Sequence, residues 1–138
     1  MTEFGKMTAG FSSPEPRSVA PFTIAVDTRE QSPFHFQGLR SNAKDGGGGV
    51  IVQIEKVALK TGDYSIIGCE EEIAVERKAG EDLFNCCGGD RERFQKQLER
   101  LAAYPFAAVV TECGLTHIQR GMPRSNMSGK SVIRSILA

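Results

Sequence analysis

GDYSIIGCEEEIAVERK, residues 62–78, is the stretch whose reading decides the fold. Two short runs rich in β-forming residues, Tyr64–Ile67 and Ile73–Lys78, flank the connection from Gly68 to Glu72. A connection that short makes them an antiparallel hairpin. Side chains alternate faces along a strand, so Glu76 and Lys78 point one way and Val75 and Arg77 the other. Reflection through a turn near Cys69 and Glu70 sets Asp63 opposite position 76 or 77, beside Glu76. Two carboxylates that close repel one another, and a hard divalent cation removes the repulsion. Oxygen ligation without thiols favours magnesium or manganese. Lys78 shares the face of Glu76 and is placed to contact a phosphate or a water. A lone Glu-x-Lys is commonplace on surface hairpins; the acid at the hairpin mouth makes the pattern specific.

Further acids lie within reach. Asp82 follows Lys78 by four residues at the start of a helical turn, and Asp27 closes an earlier β-branched run, Phe22–Val26. Between that run and a second strand, Val50–Val57, the loop from Thr28 to about Gly49 carries Ser32-Pro33 and four glycines at its end. No Gly-Lys-Ser/Thr pattern follows those glycines, which excludes a phosphate-binding loop of the nucleotide-hydrolase kind. Beyond the hairpin, Asp90 stands at the N-cap of a helix whose apolar stripe is Phe94, Leu98, Leu101 and Tyr104, ended by Pro105. Ala107–Thr111 is apolar throughout, which predicts a central strand. Arg120 to Asn126 reads as loop. Ser128 or Asn126 caps a last helix with Val132, Ile133, Ile136 and Leu137 on its apolar face. Residues 1–20, polar and rich in Ser, Pro and Gly, read as a flexible tail ahead of one domain, 21–138.

At 138 residues the chain is long enough to bury a core without staples. The formal net charge is zero, from 17 basic and 17 acidic residues, which by itself argues against a nucleic-acid partner. The distribution softens that objection. Arg91, Arg93, Lys96 and Arg100 share one segment, Arg120, Arg124, Lys130 and Arg134 another, and acids gathered at a metal site lower the total. No apolar run approaches the roughly 20 residues that span a bilayer. The N-terminus lacks a basic-then-apolar leader, so the expected place is the cytoplasm, or the nucleus in a eukaryote. The four cysteines, Cys69, Cys86, Cys87 and Cys113, form no C-x-x-C pair and are expected to be reduced. His35 and His117 fall outside every motif.

Four blocks in order, Val26–Phe34, Leu59–Ile66, Val75–Leu83 and Arg93 to Leu101, resemble the XPF-type nuclease domain of the PD-(D/E)XK superfamily. Its signature is Gly-Asp followed by Glu-Arg-Lys-x-x-x-Asp. The resemblance implies an α/β, restriction-endonuclease-like core, a central mixed sheet flanked by helices. It implies Mg²⁺ or Mn²⁺ held by Asp63, Glu76 and the backbone carbonyl of Arg77, with Lys78 as catalytic lysine and Asp27 and Asp82 as supporting acids. Arg29, Arg77, Arg93, Gln97 and Arg100 are its expected DNA or phosphate contacts, with Glu30 among the flanking motif acids. The implied activity is hydrolysis of DNA at flaps, forks or junctions, with no membrane and with a homodimer as one assembly. The alternatives are a non-catalytic DNA-binding module of the same fold and a sequence-specific restriction-type enzyme. No tandem helix-hairpin-helix modules follow the domain. That fits bacterial or phage members, which continue with another strand and helix, so the chain is expected to be shortened at its C-terminal end.

Overall fold

Glycine and proline punctuate this chain, and the runs between them set its elements. The computed structural model describes residues 17–41 and 47–137. The strands are β1 (Arg17–Asp27), β2 (Gly49–Val57), β3 (Tyr64–Ile66), β4 (Ile73–Lys78) and β5 (Phe106–Thr111). The helices are α1 (Gly80–Cys87), α2 (Arg91–Ala102), α3 (Leu115–Arg120) and α4 (Gly129–Leu137). The strands lie in one sheet in the order β2-β1-β3-β4-β5. β1 runs parallel to β2 and β4 parallel to β5, while β3 is antiparallel to both of its neighbours. This is the mixed α/β sheet flanked by helices that the resemblance to the XPF-type nuclease domain implies.

Two parallel neighbours cannot be joined by a tight turn, so the chain leaves β4 through α1 and α2 before returning along β5. That crossover delivers Phe94 of α2 against the β4 face that carries Lys78. Of the predicted stripe, Phe94 and Leu101 are buried and Tyr104 is half-buried, while Leu98 is 37% exposed. Asp90 occupies the N-cap position but makes no side-chain cap; its carbonyl accepts the Phe94 N–H at 3.0 Å. Ser128 does cap α4, its Oγ accepting the Ser131 N–H at 3.2 Å. A core of Leu83, Phe84, Cys87, Ile118 and Val132 joins α1, α3 and α4.

The observed fold departs from expectation at four elements. β1 begins at Arg17, so residues 17–20 belong to the sheet and not to a tail; the rest of that tail lies outside the described residues. β5 is an edge strand among the described residues, not a central one. Hydropathy along a strand reports its two faces, whereas its lateral place is set by backbone hydrogen bonding that side chains do not encode. Phe106, 66% exposed, and Val110, 43% exposed, show the mismatch. α1 and α3 are full helices where a single turn and no element were expected. None of the described helices is long and apolar enough to cross a membrane.

Candidate active site

Gly62 positions the first acid. Its φ is +81°, in the left-handed region that glycine enters without steric cost, and a Cβ there would stand 2.9 Å from the Val75 carbonyl oxygen. The backbone of 62 therefore lies directly against β4. Asp63 follows, donating its N–H to the Val75 carbonyl at 2.8 Å and accepting the Arg77 N–H on Oδ2 at 2.7 Å. With Tyr64 opposite Val75 in the ladder, this is the pairing predicted by reflection through the turn. Burial raises the carboxyl pKa of Asp63 above its ordinary value; the Arg77 N–H opposes this, and the nearby charges of Glu76 and Glu30 reinforce it.

Glu76 is buried, 4% exposed, on the helix-covered face of β4. Lys78, two residues on and on the same face, donates from Nζ to Glu76 Oε1 at 2.7 Å. Its ammonium sits 5.6 Å from the centroid of the Phe94 ring. A buried carboxylate needs such a cation, because desolvation without a partner costs several kcal/mol, about 3–5 when one member of a pair is removed.

Asp27 is the most saturated acid of the group. It is 2% exposed and accepts Arg29 N–H (2.8 Å), Arg29 Nε (2.7 Å), Arg29 Nη2 (3.0 Å) and the Leu59 N–H (2.9 Å). The Arg29 hydrogen bond dominates and holds its pKa down to about 2, against the opposing effect of burial. Its N–H donates to the Asp63 carbonyl at 2.8 Å, which locks the end of β1 to the acid pair. Arg29 stays largely exposed and also feels the charges of Asp63 and Glu76, so it stands at the mouth of the site.

Arg77 departs from expectation in its side chain. Its guanidinium turns to the opposite face of the sheet, where Nε pairs with Glu112 and Nη1 donates to the Ser32 carbonyl at 2.5 Å. Glu30 lies 3.4 Å from Nη1, and the Phe34 ring centroid lies 4.4 Å from the guanidinium carbon. The backbone of Arg77 is better placed. A strand residue directs N–H and C=O to the same edge, so its carbonyl faces the edge where Asp63 accepts its N–H.

Asp82 does not join the acid pair. It is exposed in the first turn of α1, where its charge acts on the Cys86 thiol. Lys78 and Arg93 act on the same thiol, whose pKa burial raises, so these groups border the site on its helix side. Arg93 and Arg100 are exposed on α2 and Gln97 is half-buried there. Glu112 is the residue that the sequence pattern leaves out. It lies in no motif block, and only the parallel pairing of β4 with β5 brings it to Arg77.

Among the described residues no three His, Cys, Asp or Glu side chains gather to hold a metal ion. The available donors are the carboxylates of Asp63 and Glu76 and the carbonyl of Arg77, all hard oxygens. Magnesium is commonly held by one or two carboxylates and keeps its remaining waters, so this set fits a hydrated Mg²⁺ or Mn²⁺.

The ERCC4 domain family model matches residues 26–138, from the last residues of β1 onward. No curated protein matches the chain.

Proposed function

This chain belongs to the ERCC4 domain family, XPF-type nucleases with a restriction-endonuclease-like fold, and from that membership we propose that it is a metal-dependent DNA endonuclease selective for branched DNA. One observation carries the proposal. The hairpin joins Asp63 to the backbone beside Glu76, and Glu76 is itself paired with Lys78 on the same strand face.

Asp63, Glu76 and the Arg77 carbonyl would hold Mg²⁺ or Mn²⁺. Bound there, the ion supplies Lewis acidity that offsets the negative charge building on the phosphate during hydrolysis. Lys78, released from Glu76 Oε1, orients a phosphate oxygen or the attacking water and stabilises developing charge. Arg29 contacts the incoming phosphodiester from the rim. Asp27 touches no substrate in this scheme; it fixes Arg29 and the end of β1. Neither histidine takes part, and no covalent protein intermediate is formed.

The test is a cleavage panel with Mg²⁺ or Mn²⁺ on duplex, single-stranded, flap, fork and four-way-junction DNA. The wild-type chain is expected to nick near the branch point. Asp63→Asn and Glu76→Gln are expected to lose about 100-fold or more of that activity. Full cleavage by either variant overturns the metal assignment. Binding to forks without turnover under both ions points instead to a non-catalytic module. Cleavage confined to one short sequence regardless of branching points to a restriction-type enzyme.

A further inference from the structure

Residues 28–36 form a strap that leaves the end of β1 and runs over the face of the sheet opposite Glu76 and Lys78. Its first part carries Arg29, held by Asp27 and by the Leu59 carbonyl at 2.9 Å. Its middle is folded on itself, Ser32 donating its N–H to Glu30 Oε1 at 2.9 Å. Its last part lies against the sheet: the Phe34 N–H donates to the Tyr64 hydroxyl at 3.1 Å, and the two rings stack with centroids 6.0 Å apart.

One side chain grips the strap from below. Arg77 reaches the Ser32 carbonyl, the Glu30 carboxylate and the Phe34 ring together. Glu112 pairs with the same guanidinium from the end of β5 and donates its own N–H to the Lys78 carbonyl at 3.0 Å. The Arg77 side chain is only 17% exposed, so it is poorly placed to meet a phosphate. A lysine could not replace it, because a single ammonium cannot serve Glu112, Ser32 and an aromatic face at once.

We propose that Arg77 and Glu112 are positioning residues: they form a latch that seats the 28–36 strap and so holds Arg29 over the Asp63–Glu76 pair. The proposal rests on the reading of this site as a DNA-phosphate site. It assigns Glu112 a role that no sequence motif marks, and it moves the Arg77 side chain from substrate contact to support.

The experiment uses the full chain as wild type, Arg29→Gln, Arg77→Lys, Glu112→Gln and Arg29→Gln/Glu112→Gln. Amide hydrogen exchange is followed over 28–36, with β2 as internal reference. Binding to labelled fork DNA without divalent ion is measured across salt concentrations. Glu112→Gln and Arg77→Lys are expected to speed exchange in 28–36 by about tenfold while β2 is unchanged. Arg29→Gln is expected to flatten the slope of log K against log salt by about 0.9, the signature of one lost phosphate contact. Glu112→Gln is expected to flatten it part of the way, and the double variant no further than Arg29→Gln alone. Unchanged exchange in the strap overturns the latch, and additive losses in the double variant overturn its link to Arg29. Should wild type fail to bind fork DNA both without divalent ion and with Ca²⁺ while the exchange response is present, the nuclease reading falls and the seating of the strap by Arg77 and Glu112 stands.

Discussion

Asp27 and Asp63 are joined by one backbone hydrogen bond, yet their carboxyls are driven in opposite directions. The first is surrounded by N–H donors and is held at about pKa 2, below its ordinary 3.8. A depressed acid stabilises the fold at pH above its unfolded value, and that stability is lost as pH falls through the folded value. Asp27 therefore contributes about 2 kcal/mol above pH about 4, disappearing between about 4 and 2. Urea denaturation at neutral and acid pH should show the wild-type advantage over Asp27→Asn shrinking across that window. Asp63 is the opposite case, a carboxylate that burial disfavours. Asp63→Asn keeps an acceptor for the Arg77 N–H and sheds the charge, so it should raise Tm in metal-free buffer by roughly 1–3 °C. Mg²⁺ or Mn²⁺ should raise Tm of the wild type and leave the variant unmoved. The meeting of Asp63, Glu76 and Lys78 was legible in the sequence, because alternation along a strand and reflection through a short turn are local rules. The saturation of Asp27 and the grip of Glu112 on Arg77 were not. Arg29 is local to Asp27, but the Leu59 N–H that completes its shell lies 32 residues away and Glu112 lies 35 from Arg77, distances that no local pattern spans.

At the scale of elements, two glycines set distances that no other residue allows. Gly62→Ala places a Cβ against the Val75 carbonyl and imposes a disfavoured φ, at a cost of roughly 1–3 kcal/mol. Because that residue delivers Asp63, cleavage should fall further than stability alone explains, which thermal melting and rate measurements on one preparation separate. Gly129, at the start of α4, lies closer still to its neighbour: a Cβ there would stand 2.0 Å from the Ile118 carbonyl oxygen. Gly129→Ala must push α4 off α3 and open the core around Val132, so a loss of more than about 2 kcal/mol is expected by urea denaturation. Strands β2 to β4, the Phe22–Val26 part of β1 and helices α2 and α4 were legible from alternation and apolar spacing. α3 was not, since its six residues give too little length for a period to show. The edge position of β5 was hidden because apolar faces say nothing of what lies beside a strand.

For the molecule as a whole, zero net charge hides an uneven distribution. Asp27 and Glu76 are buried and paired with Arg29 and Lys78, and the exposed Glu112 is paired with Arg77. Arg93, Lys96 and Arg100 stand exposed on α2, and no ion pair engages them among the described residues. The balance of charges in the composition therefore does not describe the surface a polyanion meets. Affinity for DNA should fall steeply with salt, and Arg93→Gln should flatten that dependence by about one phosphate contact in a fluorescence titration. The proposed cleavage of a phosphodiester rests on the family and on the acid pair, with α2 bordering it. The decisive measurement is nicking of a labelled fork by the wild-type chain and by Asp63→Asn, side by side, with Mn²⁺ present or chelated. A metal-dependent nick by the wild type that the variant loses is the expected result. Equal cleavage by both, or cleavage that survives chelation, contradicts an active site built on Asp63 and Glu76.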